Sequence, residues 1–251
     1  MKKCVIAIPI WKSVINGTEL DSLVQCRCVL GNNVNYDIVF FGPERISEKY
    51  YSSLWKIFKV GDAEFPGIER FPDRCFESRL SYSHLLSSKE FYLRFSERYE
   101  HILVYQLDAW VFSDELEKWC GMDYDYIGAP WCHMCGILCN GNRMFVGNGG
   151  LSLRRISAMT EKLPYESFDD AMYNESLNED VYISLCGDIR RPTCSVAARF
   201  SVETNASSLI ERYGIPFGFH GLLSYDANLF INLTKKTFLG KEIVENGKNR
   251  K

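Results

Sequence analysis

The apolar positions of this chain fall into two kinds of run. Val5–Ile10 is continuously apolar, and His101–Tyr105 nearly so, as expected for strands covered on both faces of a parallel sheet. Tyr36–Phe41 is a third such run, stopped by Gly42-Pro43, and Tyr126–Pro130 reads as a further short strand. Between the strands the period changes. Glu19–Leu30 reads as a helix, and Leu80, Leu85, Leu86 and Phe91 recur at helical spacing within Arg79–Ser96. Strand and helix alternate, which predicts an α/β fold with a mixed, mostly parallel sheet flanked by helices. The 251 residues suit one large domain, expected over residues 1–240, followed by a basic tail at 241–251.

Composition narrows the function classes. Apolar content of 46% and charge of 24% are ordinary globular values, which excludes disordered and collagen-like chains. With a net charge of −3 and no Lys/Arg stripe, no nucleic-acid partner is expected. The N-terminal apolar run Cys4–Trp11 is short, contains Pro9 and lacks a small-residue cleavage site, so a first strand is expected rather than a signal peptide. No stretch approaches the roughly 20 apolar residues of a membrane-spanning helix. Ten cysteines without a secretory signal point to a reducing, cytoplasmic setting, with the thiols serving as small buried hydrophobes. The Lys-bearing segment Phe230–Lys241 offers a candidate peripheral contact with the inner face of a membrane, against the plainer reading of a solvated helix.

Four places carry candidate chemistry. Asp108 follows the buried run Ile102–Tyr105 at a strand's carboxyl end, where open α/β sheets bind ligands and where a carboxylate can hold a hard cation. Its plainer role is to cap the following turn or helix. Gly147-Asn148-Gly149-Gly150 lies between two apolar stretches, where a glycine backbone can approach a ligand closely or simply form a hairpin turn. Asn178-Glu179-Asp180 opens a periodic segment. Asn178 can cap a helix and the acids suit its first turn, but an ionised carboxylate held there is also a dependable general base. Finally, Pro216–Gly221 sets a lone histidine, His220, among glycines and aromatics.

The order of these signals resembles that of GT-A glycosyltransferases, in a layout similar to the Fringe and β-1,4-galactosyltransferase types. The closest likeness is to a bacterial family of glycosyltransferase-like proteins of unassigned function, carried by Tyr105–Ala109, Tyr126–Trp131, Gly147–Gly150 and Asn178–Asp180. The resemblance implies a single GT-A-like, Rossmann-like domain that binds a nucleotide-sugar, a UDP-hexose or UDP-N-acetylhexosamine. The acceptor it implies is a glycan or lipid-linked glycan, in polysaccharide assembly. By the same resemblance, Asp108 and His220 hold Mn²⁺ or Mg²⁺. Gln106, Asn148, Gly149 and Gly150, with Pro9, Ile10 and Trp11 at the end of the first strand, contact the donor. Asp180, with Glu179 beside it, activates the acceptor hydroxyl, and direct displacement implies inversion at the anomeric carbon. One departure is plain: Gln106 stands where the first acid of the metal motif is usual.

Other readings stay open. Gln106 favours a non-catalytic nucleotide-sugar or glycan binder on the same fold. Cys132, Cys135 and Cys139 offer three thiols for structural zinc, without the matched second pair such sites normally use. A sugar nucleotidyltransferase would need a Gly-rich basic loop after the first strand, and Ile10-Trp11-Lys12-Ser13 does not supply it.

Overall fold

A computed structural model of the chain describes residues 1–58, 68–131, 137–139, 142–144, 146–186 and 188–235. Its strands are β1 (Lys2–Pro9), β2 (Tyr36–Pro43), β3 (Ile68–Phe71), β4 (Tyr99–Tyr105), β5 (Ala109–Val111), β6 (Tyr126–Pro130), β7 (Ile137–Cys139), β8 (Asn142–Met144), β9 (Val146–Arg155), β10 (Ser201–Val202) and β11 (Gly218–His220). Six of them form the central sheet in the order β3-β2-β1-β4-β9-β6. The first four run parallel, and β9 is antiparallel to both neighbours. The expected mixed, mostly parallel sheet is therefore present.

Strand β1 shows why its run had to be apolar. Cys4, Ile6 and Ile8 enter one core with Leu23 and Tyr105, while Val5 and Ala7 enter the other with Phe41 and Val104. Successive side chains point to opposite faces, so a strand covered twice has no position left for a polar residue. The helix Gly17–Leu30 covers the first face. Its start is set by Asn16, whose side chain accepts from the Glu19 amide while Glu19 reaches back to the Asn16 amide.

The helix expected over Arg79–Ser96 is broken in two. It runs as Arg79–Ser87 and Lys89–Leu93, with Ser88 extended at φ −94° and ψ 147° between them. Ser88 forms a bridge with Tyr165, and the Lys89 amide donates to the Tyr165 carbonyl at 2.8 Å. A backbone pairing made far along the chain thus overrides the local period, which carries no trace of it.

A second sheet, β10-β11-β5, sits beside the carboxyl ends of the central strands. Strand β11 is antiparallel to β5, pairing Phe219 with Trp110 and His220 with Ala109. The Trp110 and Phe219 rings stack with centroids 6.3 Å apart. This register brings His220 alongside the residue that follows Asp108.

Among the described residues no helix is long and apolar enough to cross a membrane. The basic tail at 241–251, Cys132 and Cys135 lie outside the described residues. Of the described thiols, Cys4, Cys26, Cys75 and Cys120 are buried, in the small-hydrophobe role expected of them.

Phe41, at the carboxyl end of β2, is ringed by Phe71, Phe76, Tyr82 and Phe91. Phe41→Ala is expected to cost about 3–5 kcal/mol, as truncation of a fully packed aromatic does. Urea unfolding measures it, and a loss below about 1 kcal/mol would show that the cluster repacks around the gap.

Candidate active site

At the carboxyl end of β4 the chain turns sharply. The Gln106 amide donates to the Gly150 carbonyl at 2.9 Å, and the Ala109 amide to the Gln106 carbonyl at 2.9 Å. The turn lifts Asp108 out of the sheet, leaving its side chain 54% exposed. Strand β5 follows rather than a helix, so Asp108 caps no helix. Its Oδ1 lies 3.1 Å from His220 Nε2, and Gln106 Oε1 lies 3.1 Å from the same nitrogen. The Gly221 amide donates to the Asp108 carbonyl at 3.1 Å, which locks β11 to the turn.

On the other side of the ring, Nδ1 lies 3.3 Å from Glu203 Oε1. Glu203 Oε2 in turn accepts from Asn148 Nδ2 at 2.7 Å. Burial alone would lower the His220 pKa, but bonding and charge from Asp108 and Glu203 outweigh it and raise the value to about 10. Asp108 is correspondingly held below the ordinary carboxylate range. Burial opposes that shift and the histidine overcomes it. His220 is thus a cation with an acid on each side.

Gly147–Gly150 lies inside β9 and forms no hairpin turn; its glycines all have ordinary negative φ. They are there for space. A Cβ on Gly150 would collide with the His220 ring, one on Gly149 with the Glu179 carboxylate, and one on Gly147 with Ser184. Three close neighbours, His220, Glu179 and Ser184, are thereby admitted against the strand's backbone.

The helix Glu179–Leu185 faces this strand. Asn178 occupies its N-cap position without making the capping bond, and its side chain lines the cleft instead. The two acids that follow have separate fates. Glu179 is buried, bonded to Arg154 Nη2 at 3.0 Å and to Ser83 Oγ at 3.1 Å. Asp180 faces the cleft, accepting from the amides of Gly149 at 3.2 Å and Val181 at 2.7 Å. Burial, with repulsion from Glu179 second, raises its pKa from 3.8 to about 7.

Two cavities of about 440 and 380 Å³ meet over these residues. The first is lined by Pro9, Trp11, Phe76 and Glu77. The second is lined by Asn148, Gly149, Gly150, Asp180, Glu203 and His220. Arg79, Tyr82, Gln106 and Asp108 line both. Of the residues expected at the donor, Ile10 departs from the group. Its side chain is fully buried in the core, its amide donates to the Phe41 carbonyl, and its carbonyl accepts from Tyr51. An apolar residue continuing a doubly covered strand goes to the core, and only its neighbours turn outward. Glu203 and Arg79 were not singled out in the sequence. Glu203 stands in a short, weakly patterned stretch, and Arg79 reads as an ordinary helix start.

The fold is the one shared by solved GT-A glycosyltransferases. The bifunctional glycosyltransferase WbbM superposes with a TM-score of 0.55 at 12% identity, over 88% of this chain and 45% of that one. Core-mannan synthase A from Aspergillus fumigatus, in its Mn/GDP form, gives 0.53 at 8% identity, over 76% of this chain and 70% of that one. Mouse xyloside xylosyltransferase 1 gives 0.51 at 12% identity, over 88% and 98%. The chain therefore spans less than half the length of WbbM. No curated protein matches the sequence. The chain belongs to the protein family of unknown function DUF5672, whose model matches residues 66–220.

Arg154→Met leaves the Glu179 carboxylate buried and unpaired, and is expected to destabilise by about 3–5 kcal/mol in urea unfolding. Adding Glu179→Leu should recover part of that loss. A double variant less stable than Arg154→Met alone would contradict the pairing.

Proposed function

We propose that the chain is a nucleotide-sugar-dependent glycosyltransferase acting on the hydroxyl of a glycan or lipid-linked glycan. A UDP-hexose or UDP-N-acetylhexosamine is the donor. What carries the reading is the meeting of two cavities at Gln106 and Asp108, with Asp180 on the far side of the second. A nucleoside fits the first cavity, between Trp11, Pro9 and Phe76, and a sugar fits the second, which Asn148, Gly149, Gly150 and Asp180 line. The core-mannan synthase neighbour is in an Mn/GDP form, in keeping with a nucleotide and a divalent ion at such a cleft.

Gln106 Oε1, Asp108 Oδ1 and His220 Nε2 converge, each oxygen 3.1 Å from the nitrogen. The set would hold Mn²⁺ or Mg²⁺ through Nε2 once its proton is displaced, with the Glu203 carboxylate 3.3 Å from Nδ1 on the other side of the ring. Bound there, the ion would offset charge on a departing diphosphate. Gln106 contributes a neutral oxygen, which is the observation favouring the rival reading of a nucleotide-sugar binder without turnover.

Asp180 is the base. Its carboxylate takes the proton of the acceptor hydroxyl as that oxygen attacks the anomeric carbon from the face opposite the nucleotide, which inverts the centre. Glu179 contributes indirectly, by repelling charge on Asp180 and raising its proton affinity. Asp180→Asn should lower kcat by about 10²–10⁴-fold and leave UDP affinity within about twofold. An equal loss of binding would remove Asp180 from the role of base.

The raised pKa also sets a pH profile. Because the base must be ionised, kcat/KM should climb with pH to about 7 and level off above it. Stability runs the other way. The native state keeps a proton that the unfolded chain releases near 3.8, so this group's contribution is full below that pH and lost as pH rises through about 7. A pH-independent rate between 5 and 8 (about the window in which this carboxylate titrates) would contradict the assignment. Asp108→Ala should abolish the Mn²⁺-dependent part of nucleotide affinity, read by calorimetry with and without the ion. Unchanged ion dependence would take Asp108 out of the ligand set.

A further inference from the structure

Among the described residues that line the two cavities, Arg79 is the one arginine or lysine. It is the first residue of the helix Arg79–Ser87, is exposed, and lines both cavities. The acids around it outnumber the bases. Glu19, Glu77 and Asp108 line the first cavity, and Asp108, Glu179, Asp180 and Glu203 the second. The other bases nearby are committed: Lys12 to Glu19 at 2.6 Å, and His220 to Asp108 and Glu203. Arg79 makes no ion pair among the described residues. Its backbone is nonetheless fixed. Ser78 Oγ accepts from the Ser81 amide at 3.0 Å, and the Ser78 amide donates to Ser81 Oγ at 2.8 Å. Across the cleft the Tyr225 phenol lies in its field. Glu203 raises that pKa first and burial adds to it, while Arg79 opposes both.

We propose that Arg79 holds the diphosphate bridge of the donor, which rests on reading the cleft as a nucleotide-sugar site. A nucleoside in the first cavity and a sugar in the second must be joined across Arg79, Tyr82, Gln106 and Asp108. The bridge is dianionic, and Asp108 alone would repel it. A guanidinium is permanently charged and planar, and meets phosphate oxygens two at a time. In the transfer, the bond from the anomeric carbon to the phosphate oxygen breaks and its electron pair leaves with the nucleoside diphosphate. The acceptor oxygen takes the vacated bond and its proton passes to Asp180. The charge gained by the departing diphosphate develops beside Arg79, where a positioned cation stabilises it.

Calorimetric titration of the full chain tests this, using UDP, GDP, uridine and guanosine with Mn²⁺ present. Arg79→Met and Arg79→Lys are compared with the unaltered protein, and a thermal melt confirms folding. The Kd for the nucleoside diphosphate that binds should rise about tenfold or more in Arg79→Met, and less in Arg79→Lys, which keeps charge but loses the fork. The matching nucleoside should bind within about twofold of the unaltered protein, since it lacks the phosphates that charged donors recognise. Unchanged diphosphate affinity overturns the assignment, and so does an equal loss for nucleoside and diphosphate, which would mean that Arg79 only shapes the cavity. If the unaltered protein binds neither UDP nor GDP, the reading of the cleft itself fails and takes the assignment with it.

Discussion

The buried ion pair between Arg154 and Glu179 is the interaction on which the cleft depends. Arg154 is fully buried, and its guanidinium reaches Glu179, the Tyr92 hydroxyl at 2.9 Å and Ser152 Oγ at 3.0 Å. Glu179 takes Ser83 with its second oxygen. Strand β9 and three helices are thereby joined at one point. A pair of this kind adds little net stability, because desolvating two ions offsets most of their attraction. What it supplies is placement. A charge so deep has no water to turn to, so the elements carrying its partners have one low-energy arrangement. In that arrangement Asp180 lies over the Gly149 amide, at the edge of the cleft.

Around that anchor, three carboxylates with the same intrinsic chemistry are driven to different states. Asp108 is kept ionised by a cationic histidine and is half exposed. Glu179 is spent on Arg154. Asp180 accepts from two backbone amides, but its burial, with Glu179 beside it, holds its proton to near neutrality. One acid is thus fixed as an anion while another in the same cleft can exchange a proton near pH 7. The difference comes from burial and neighbours and not from residue type.

Much of the architecture was legible. Val5–Ile10 and His101–Tyr105 read as covered strands and are, and Asp108 at a strand end does border two cavities. The glycine cluster was half legible. Its backbone does border the cleft, yet it sits in a strand and makes no turn, because the glycines answer to His220, Glu179 and Ser184 pressing from distant parts of the chain. The break at Ser88 was hidden because it is decided by Tyr165, a partner remote in sequence.

Local pattern determined the covered strands β1, β2 and β4 and the helix Gly17–Leu30, since period and capping act over a few residues. It also marked Asp108, Asp180 and His220 as unusual in their surroundings. Tertiary structure decided what those residues became. The register of β11 on β5 set His220 against Asp108, Glu203 closed the far side of the ring, and the start of one helix placed Arg79 where two cavities join. Electrostatic environment is a property of distances in space, and distances between remote segments exist only once the chain has folded.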